Sequence, residues 1–395
     1  LVDPAIFVSQ LATKYGHRPV KYKVTTEDGY ILSLYRLPGS HGIPVLLQHG
    51  TLDSSATWLL RGNDSLAITL ANAGYDVWLS NLRGNKYSRK HKYLNPDRDV
   101  AFWDIDLDHF GLYDLPAIID FVLEITGAQK LNAIGHSAGN TIFYVLGSRL
   151  PHYNNKINLL IALAPIAYFH NSHKPVAWLG NNAKSINDIL IAFNIHELFG
   201  EMELQQKLVK CICSQPHLGY EICMNGLLFQ FTGYDNEEID SEFNQVIYGH
   251  FPAGFPRKAL LHYSQIFQSK IFGSFDYGDD NLKFYNCTRA PSYNLRAVTM
   301  RIILIAAQND HLAPLKNVNR LRKNLPNVVK YIILSQKLFN HLDFTWGEHT
   351  KYTLFPFIFD ALESQSVYFE NSAISAIERR DRMNFTELAD SLADF

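Results

Sequence analysis

The sequence lacks any apolar run near the eighteen or so residues of a membrane span, so no transmembrane segment is expected. It also lacks a charge bias. Lys and Arg total 36 against 38 Asp and Glu, a formal net charge of −2. Binding nucleic acid needs a clustered basic surface, and a balanced chain without one excludes that partner. Cysteine is scarce, four in 395 residues. Cys211, Cys213 and Cys223 cluster and Cys287 stands apart. C-x-C with one further cysteine lacks the paired spacing of zinc sites, so no metal site is expected. Internal repeats and low-complexity tracts are missing too. The amino terminus, Leu1-Val2-Asp3-Pro4, has no charged n-region, apolar h-region or methionine, and reads as a mature end left after processing. Asn63, Asn286 and Asn384 each open an N-x-S/T sequon. Together these features point towards the secretory route. Nothing in the pattern specifies an oligomeric state.

What is present is an ordinary globular composition, 47% hydrophobic and 19% charged, on a chain long enough for a large core. Glu27-Asp28-Gly29 marks a hairpin turn between two alternating strands, and Ile43 to Leu47 is a compact apolar strand. A helix over Ser65 to Ala73 leads to a strand at Asp76 to Leu79. Asp114 is placed to cap a helix with Ile118, Ile119, Val122 and Ile125 on its apolar face, stopped at Gly127. Strands alternating with helices imply a mostly parallel sheet covered on both faces. The alternation stops after Ala164-Pro165 and resumes with Met300 to Ala306 and Val329 to Leu334. We therefore expect an α/β core from residues 1–165 and 292–362, a largely helical cap and lid insertion at 166–291, and a polar tail at 363–395.

Gly135-His136-Ser137-Ala138-Gly139 lies between a strand-like run, Leu131-Asn132-Ala133-Ile134, and a helix-like run. A serine flanked by glycines two residues away on each side has the form of a nucleophile elbow, where a strand turns so sharply into a helix that larger neighbours would collide. Such a serine needs an acid and then a histidine later in the chain. Asp310 follows the strand ending at Ala306, and His341 follows the next one. Asp343 competes as the acid but shares a loop with His341, and His311 is a weaker alternative base. His136 is expected to pack below the nucleophile. In the acyl-transfer scheme His341 takes the Ser137 proton while Asp310 fixes its tautomer. The oxyanion requires two backbone N–H donors. Ala138 supplies one; Thr51 is the first candidate for the other and Leu52 the second. No cofactor is required.

Further stretches sharpen this reading. They are Thr26-Glu27-Asp28-Gly29-Tyr30-Ile31-Leu32, Leu47-Gln48-His49-Gly50, Ala73-Gly74-Tyr75-Asp76-Val77-Trp78-Leu79, Arg83-Gly84-Asn85, Tyr113-Asp114-Leu115-Pro116-Ala117, Leu163-Ala164-Pro165, Pro252-Ala253-Gly254 and Asn340-His341-Leu342-Asp343-Phe344. From about Tyr15 to Leu362 the chain resembles the acid lipases, the family of gastric and lysosomal acid lipase. The resemblance implies an α/β-hydrolase fold with a cap and mobile lid, and hydrolysis of triacylglycerols and sterol esters. It also implies glycosylation and a secreted or lysosomal location. It puts the nucleophile on Ser137, the acid on Asp310, the base on His341, and the oxyanion donors on Thr51 and Ala138. A lid disulfide would join Cys213 to Cys223, with Cys211 able to replace Cys213. Two positions depart from the family: Ala138 stands for its glutamine and Thr51 for its leucine. Each still offers a backbone amide, so the departures bear on pocket shape and polarity. Leu82 also replaces a usual serine.

In the insertion, Ile186, Ile189, Leu190 and Phe193 share helical spacing, followed by Leu198 and Phe199. Leu227-Leu228-Phe229 with Phe231 forms a second apolar patch, the candidate for contact with a lipid–water interface. The leading reading is a serine hydrolase of neutral lipid esters. A lipid-binding or storage protein with a weak or silent site, or an esterase of narrower specificity, is the alternative.

Overall fold

The computed structural model describes residues 4–200 and 204–364. Two compact units divide the chain, Leu1–Thr353 and Leu354–Phe395. The tail beyond residue 364, including the Asn384 sequon, lies outside the described residues.

Among the described residues of the first unit ten strands run in chain order: β1 Val20–Thr25, β2 Ile31–Leu37, β3 His41–Gln48, β4 Tyr75–Leu79, β5 Leu131–His136, β6 Ile157–Leu163, β7 Glu197–Leu198, β8 Phe255–Pro256, β9 Ile302–Ala306 and β10 Val328–Ile333. Eight of them form one sheet in the order β1-β2-β4-β3-β5-β6-β9-β10. The hairpin β1–β2 is antiparallel, β2 joins β4 antiparallel, and every pairing from β4 to β10 is parallel. β5 and β6 are buried along their whole length, as both faces of a helix-covered parallel sheet must be. Their continuous apolar runs follow from that position. This is an α/β-hydrolase fold.

The helix before β5 departs from expectation at its start. Asp114 does not cap it, because helical backbone already runs through Leu107–His109 and a wide π turn at Phe110–Asp114. The Asp114 carboxylate instead accepts from the Arg83 backbone N–H and from Arg83 Nε, the latter at 2.7 Å. Arg83 also reaches Asp28. Arg83 and Asp114 are both fully buried, and Asp28 partly so, which makes this pairing necessary: an isolated guanidinium there would be far too costly. Gly127 ends the helix in the left-handed region, as read from sequence.

Between β6 and β9 the chain is mainly helical, with helices at Lys174–Ala192, Leu204–Cys213, Ser241–His250 and Arg257–Ser269. β7 and β8 form a two-stranded antiparallel ribbon within this stretch. Cys213 and Cys223 form a disulfide, and Cys211 and Cys287 are free and exposed. Both disulfide cysteines pack with Met224, Phe229, Phe243 and Ile247 in a second core that also takes in Leu60, Leu342 and Trp346. Phe229 is thus an anchor of the insertion, while its neighbour Leu227 is exposed. In the second unit, residues 355–364 are helical, with Ile358 and Leu362 buried.

Candidate active site

Ser137 sits between the end of β5 and the helix Ala138–Arg149, with φ 55° and ψ −122°. Few non-glycine residues adopt such a conformation, which costs on the order of 1–3 kcal/mol and persists only when packing enforces it. The enforcing contacts are tight. A Cβ on Gly139 would fall 2.3 Å from the Gln48 carbonyl oxygen, and one on Gly135 would fall 2.8 Å from the Asn140 nitrogen. Glycine at both positions lets the helix approach β3 and β5 closely enough to force the turn.

The tertiary fold brings three distant residues together. His341 Nε2 lies 2.8 Å from Ser137 Oγ, within reach to accept its proton. On the other side of the ring, Nδ1–H donates to Asp310, at 2.8 Å to one carboxylate oxygen and 3.0 Å to the other. All three side chains are buried. A serine hydroxyl, a base oriented towards it and a carboxylate orienting the base can together perform acyl transfer through a covalent intermediate.

The alternative partners lie elsewhere. Asp343 Oδ2 accepts the Asn340 backbone N–H at 2.5 Å rather than the imidazole. Burial, together with nearby Asp235 and Glu238, pushes its carboxyl well above the usual range. His311 stacks on His173 with ring centroids 3.6 Å apart. His136 packs beside the base, 4.9 Å between ring centroids, and its Nε2–H donates to the His341 carbonyl at 2.9 Å. Burial, reinforced by His341, pushes His136 down to about 3, so it stays a neutral donor that holds the His341 backbone.

Ala138 is the first residue of its helix, where a backbone N–H has no intrahelical acceptor and points out of the helix end. Thr51 follows Gly50, and a Cβ on Gly50 would lie 3.1 Å from Ser137 Cβ, so this loop borders Ser137. The loop is fixed from below by His49. Its Nδ1–H donates to the Gly50 carbonyl, and its Nε2 accepts from the Leu82 N–H at 3.2 Å. Burial pushes His49 down to about 4, which preserves that neutral tautomer. Leu52 adopts φ 63°, and its carbonyl accepts from the Ala253 N–H at 2.7 Å. Pro252-Ala253-Gly254 therefore acts as a brace for the loop after β3.

One set of contacts escaped sequence reasoning. The Thr232 carbonyl accepts from both the His311 and the His341 backbone N–H groups, at 3.3 and 3.2 Å. Asn340 Nδ2 donates to the Gly233 carbonyl and Asn309 Nδ2 to the Tyr234 carbonyl. Three consecutive carbonyls, of Thr232, Gly233 and Tyr234, thus hold the Asp310 loop and the His341 loop in register. The only sequence signal was indirect: Asn309 and Asn340 each directly precede a triad candidate, and asparagine side chains readily bind backbone.

Similarity to known proteins agrees with this architecture. Residues 43–190 match the profile of the alpha/beta hydrolase fold, and residues 8–62 that of a partial alpha/beta-hydrolase lipase region. Lipase 1 of Drosophila melanogaster is 38% identical over 350 residues, covering 87% of this chain and 77% of that protein. The chain belongs to the acid lipase family. Gastric triacylglycerol lipase of Mus musculus is 37% identical over 351 residues, covering 86% of this chain and 87% of the relative. The human enzyme of that name is 35% identical over 354 residues, covering 86% of each chain. Among solved structures, a proposed lipase of Sulfolobus solfataricus superposes with a TM-score of 0.58 at 16% identity, over 88% of this chain and 94% of the other. At that identity it speaks for the fold alone. As a member of this family the chain is an ester hydrolase.

Proposed function

We propose that this family member hydrolyses neutral lipid esters, triacylglycerols and sterol esters, through an acyl-enzyme on Ser137. The reading is carried by the Ser137–His341–Asp310 chain of hydrogen bonds. His341 takes the hydroxyl proton as Ser137 Oγ attacks the ester carbonyl, then returns it to the leaving alcohol. Asp310 stabilises the imidazolium formed in between. The Thr51 and Ala138 amides receive the charge that develops on the carbonyl oxygen. Water repeats the sequence to release the fatty acid.

Residues 166–291 are read as the cap and lid. Exposed Trp178, Phe193, Leu218 and Leu227 are apolar side chains suited to a lipid surface, which we expect the protein to adsorb to transiently. A secreted or lysosomal location is proposed from the Cys213–Cys223 disulfide and from the sequon asparagines Asn63 and Asn286, both exposed. An active-site phosphonate tests the chemistry. Labelling of the wild type that vanishes in Ser137→Ala is expected. No labelling, combined with retained binding to lipid vesicles, would replace the enzyme reading with lipid binding.

A further inference from the structure

Thr51 places a hydroxyl on the loop beside the nucleophile, at a position where the family carries leucine. That hydroxyl lies 3.3 Å from the Tyr263 hydroxyl. Tyr263 belongs to the Arg257–Ser269 helix, and its ring meets Phe169 edge-on at 5.4 Å. Its position is held through the neighbouring His262, which accepts from the Leu107 N–H and donates to the Gly273 carbonyl. The loop side is equally fixed, by the Leu52–Ala253 bond and the internal bond of His49.

We propose that the Thr51 hydroxyl is a third oxyanion donor, oriented by Tyr263. The proton count allows it. Two hydroxyls carry two protons, and the bond between them uses one. In the structure Thr51 Oγ1 donates to the Tyr263 hydroxyl; both hydroxyls can exchange roles, and once the Tyr263 O–H donates to Oγ1 instead, the Thr51 proton is left to turn towards the substrate. Oγ1 is three bonds from the Thr51 backbone nitrogen, so the two donors of this residue are close neighbours. Burial pushes the Tyr263 phenol up, which keeps it protonated and able to donate. A hydroxyl that already accepts a hydrogen bond is also a better donor, so the relay strengthens as charge develops on the oxyanion. Leucine can supply only the backbone N–H. On this view, the departure from the family at this position adds transition-state stabilisation as well as reshaping the pocket wall.

The proposal rests on the acyl-enzyme reading, and the test separates the two. Steady-state kinetics on a soluble p-nitrophenyl ester compare wild type, Thr51→Val, Thr51→Ser and Tyr263→Phe, each checked for folding by thermal melting. Thr51→Val keeps shape and backbone N–H but loses the hydroxyl. It is expected to lower kcat by about 10- to 100-fold, less than the roughly 10²–10³ of a principal donor, with KM nearly unchanged. Thr51→Ser should restore most of kcat, and Tyr263→Phe should lower kcat less than Thr51→Val does. The double variant Thr51→Val/Tyr263→Phe should be no slower than Thr51→Val alone. Wild-type kcat in Thr51→Val overturns the proposal, as does Thr51→Ser as slow as Thr51→Val, or a loss confined to KM. If Thr51→Val does not fold, an unchanged kcat in Tyr263→Phe overturns it. A wild type with neither turnover nor phosphonate labelling at Ser137 removes the acyl-enzyme reading itself, and this proposal with it.

Discussion

Asn340 should matter to catalysis although its side chain hydrogen-bonds backbone groups rather than Ser137 or the His341 ring. Its side chain is fully buried. Nδ2 donates to the Gly233 carbonyl at 2.9 Å, while Oδ1 accepts from the Leu342 N–H at 2.7 Å and the Asp343 N–H at 3.3 Å. Asn340→Ala leaves a buried carbonyl and at least one buried N–H unsatisfied. At about 1–3 kcal/mol for each stranded group, the loss is about 2–6 kcal/mol. That is a large share of a typical stability of about 5–15 kcal/mol, but the fold should survive near room temperature. The kinetic effect is separate. His341 would keep its bond to Asp310 but lose the clamp next to it, and a shift of about 1 Å in a reacting group can cost about 10² in rate. Asn340→Ala is therefore expected to lower kcat about 100-fold on a soluble ester, with KM nearly constant and a lower melting temperature. Asn340→Asp keeps the acceptor half and loses the bond to Gly233, so it should fall between. If Asn340→Ala melts lower yet keeps kcat within about threefold, the base's loop is held without this clamp and the reasoning fails.

Asp310→Asn should lower kcat by about 10⁴, because an amide favours the wrong imidazole tautomer, whereas Asp343→Asn should cost much less. Equal losses in the two variants would reopen the assignment of the acid. Asp53 gives a pH signature: burial lifts its carboxyl to about 7 from a starting value of 3.8. The folded state therefore holds a proton that the unfolded chain releases. This stabilisation is fully present below about pH 4 and is lost as pH rises through about 7. Asp53→Asn should melt like wild type at pH 3.5 and be more stable by about 4 kcal/mol at pH 8, and a gap independent of pH would contradict this. Alkylation followed by mass spectrometry should modify Cys211 and Cys287 without reductant, and Cys213 and Cys223 only after it. Reduction should cost about 2–3 kcal/mol for a closed loop of this size, read as a lower melting temperature.

Much of this protein is readable from local pattern. The apolar runs of β5 and β6, the left-handed stop at Gly127 and the elbow around Ser137 are all short-range consequences of sterics and burial. Asp310 and His341 could be named because each lies just past a strand, and parallel strands deliver their carboxyl ends to one edge of the sheet. The choice between Asp310 and Asp343 was different in kind. It depends on the direction of two side chains separated by 31 residues, and only the packed structure set Asp310 on His341 Nδ1 while Asp343 turned to the Asn340 N–H.

The insertion shows the same division. Its helical character and apolar richness were visible in the sequence. Its use of the Thr232, Gly233 and Tyr234 carbonyls to hold both loops was not, because a backbone carbonyl is present at every residue and leaves no mark on sequence. Asp114 is a further instance: its position suggested a helix cap, but a buried arginine 31 residues away in sequence required the carboxylate. Sequence alone determined which residue types stand at the ends of which strands. The tertiary structure decided which of them meet, since hydrogen-bond partners across long separations are chosen by burial and geometry rather than by spacing.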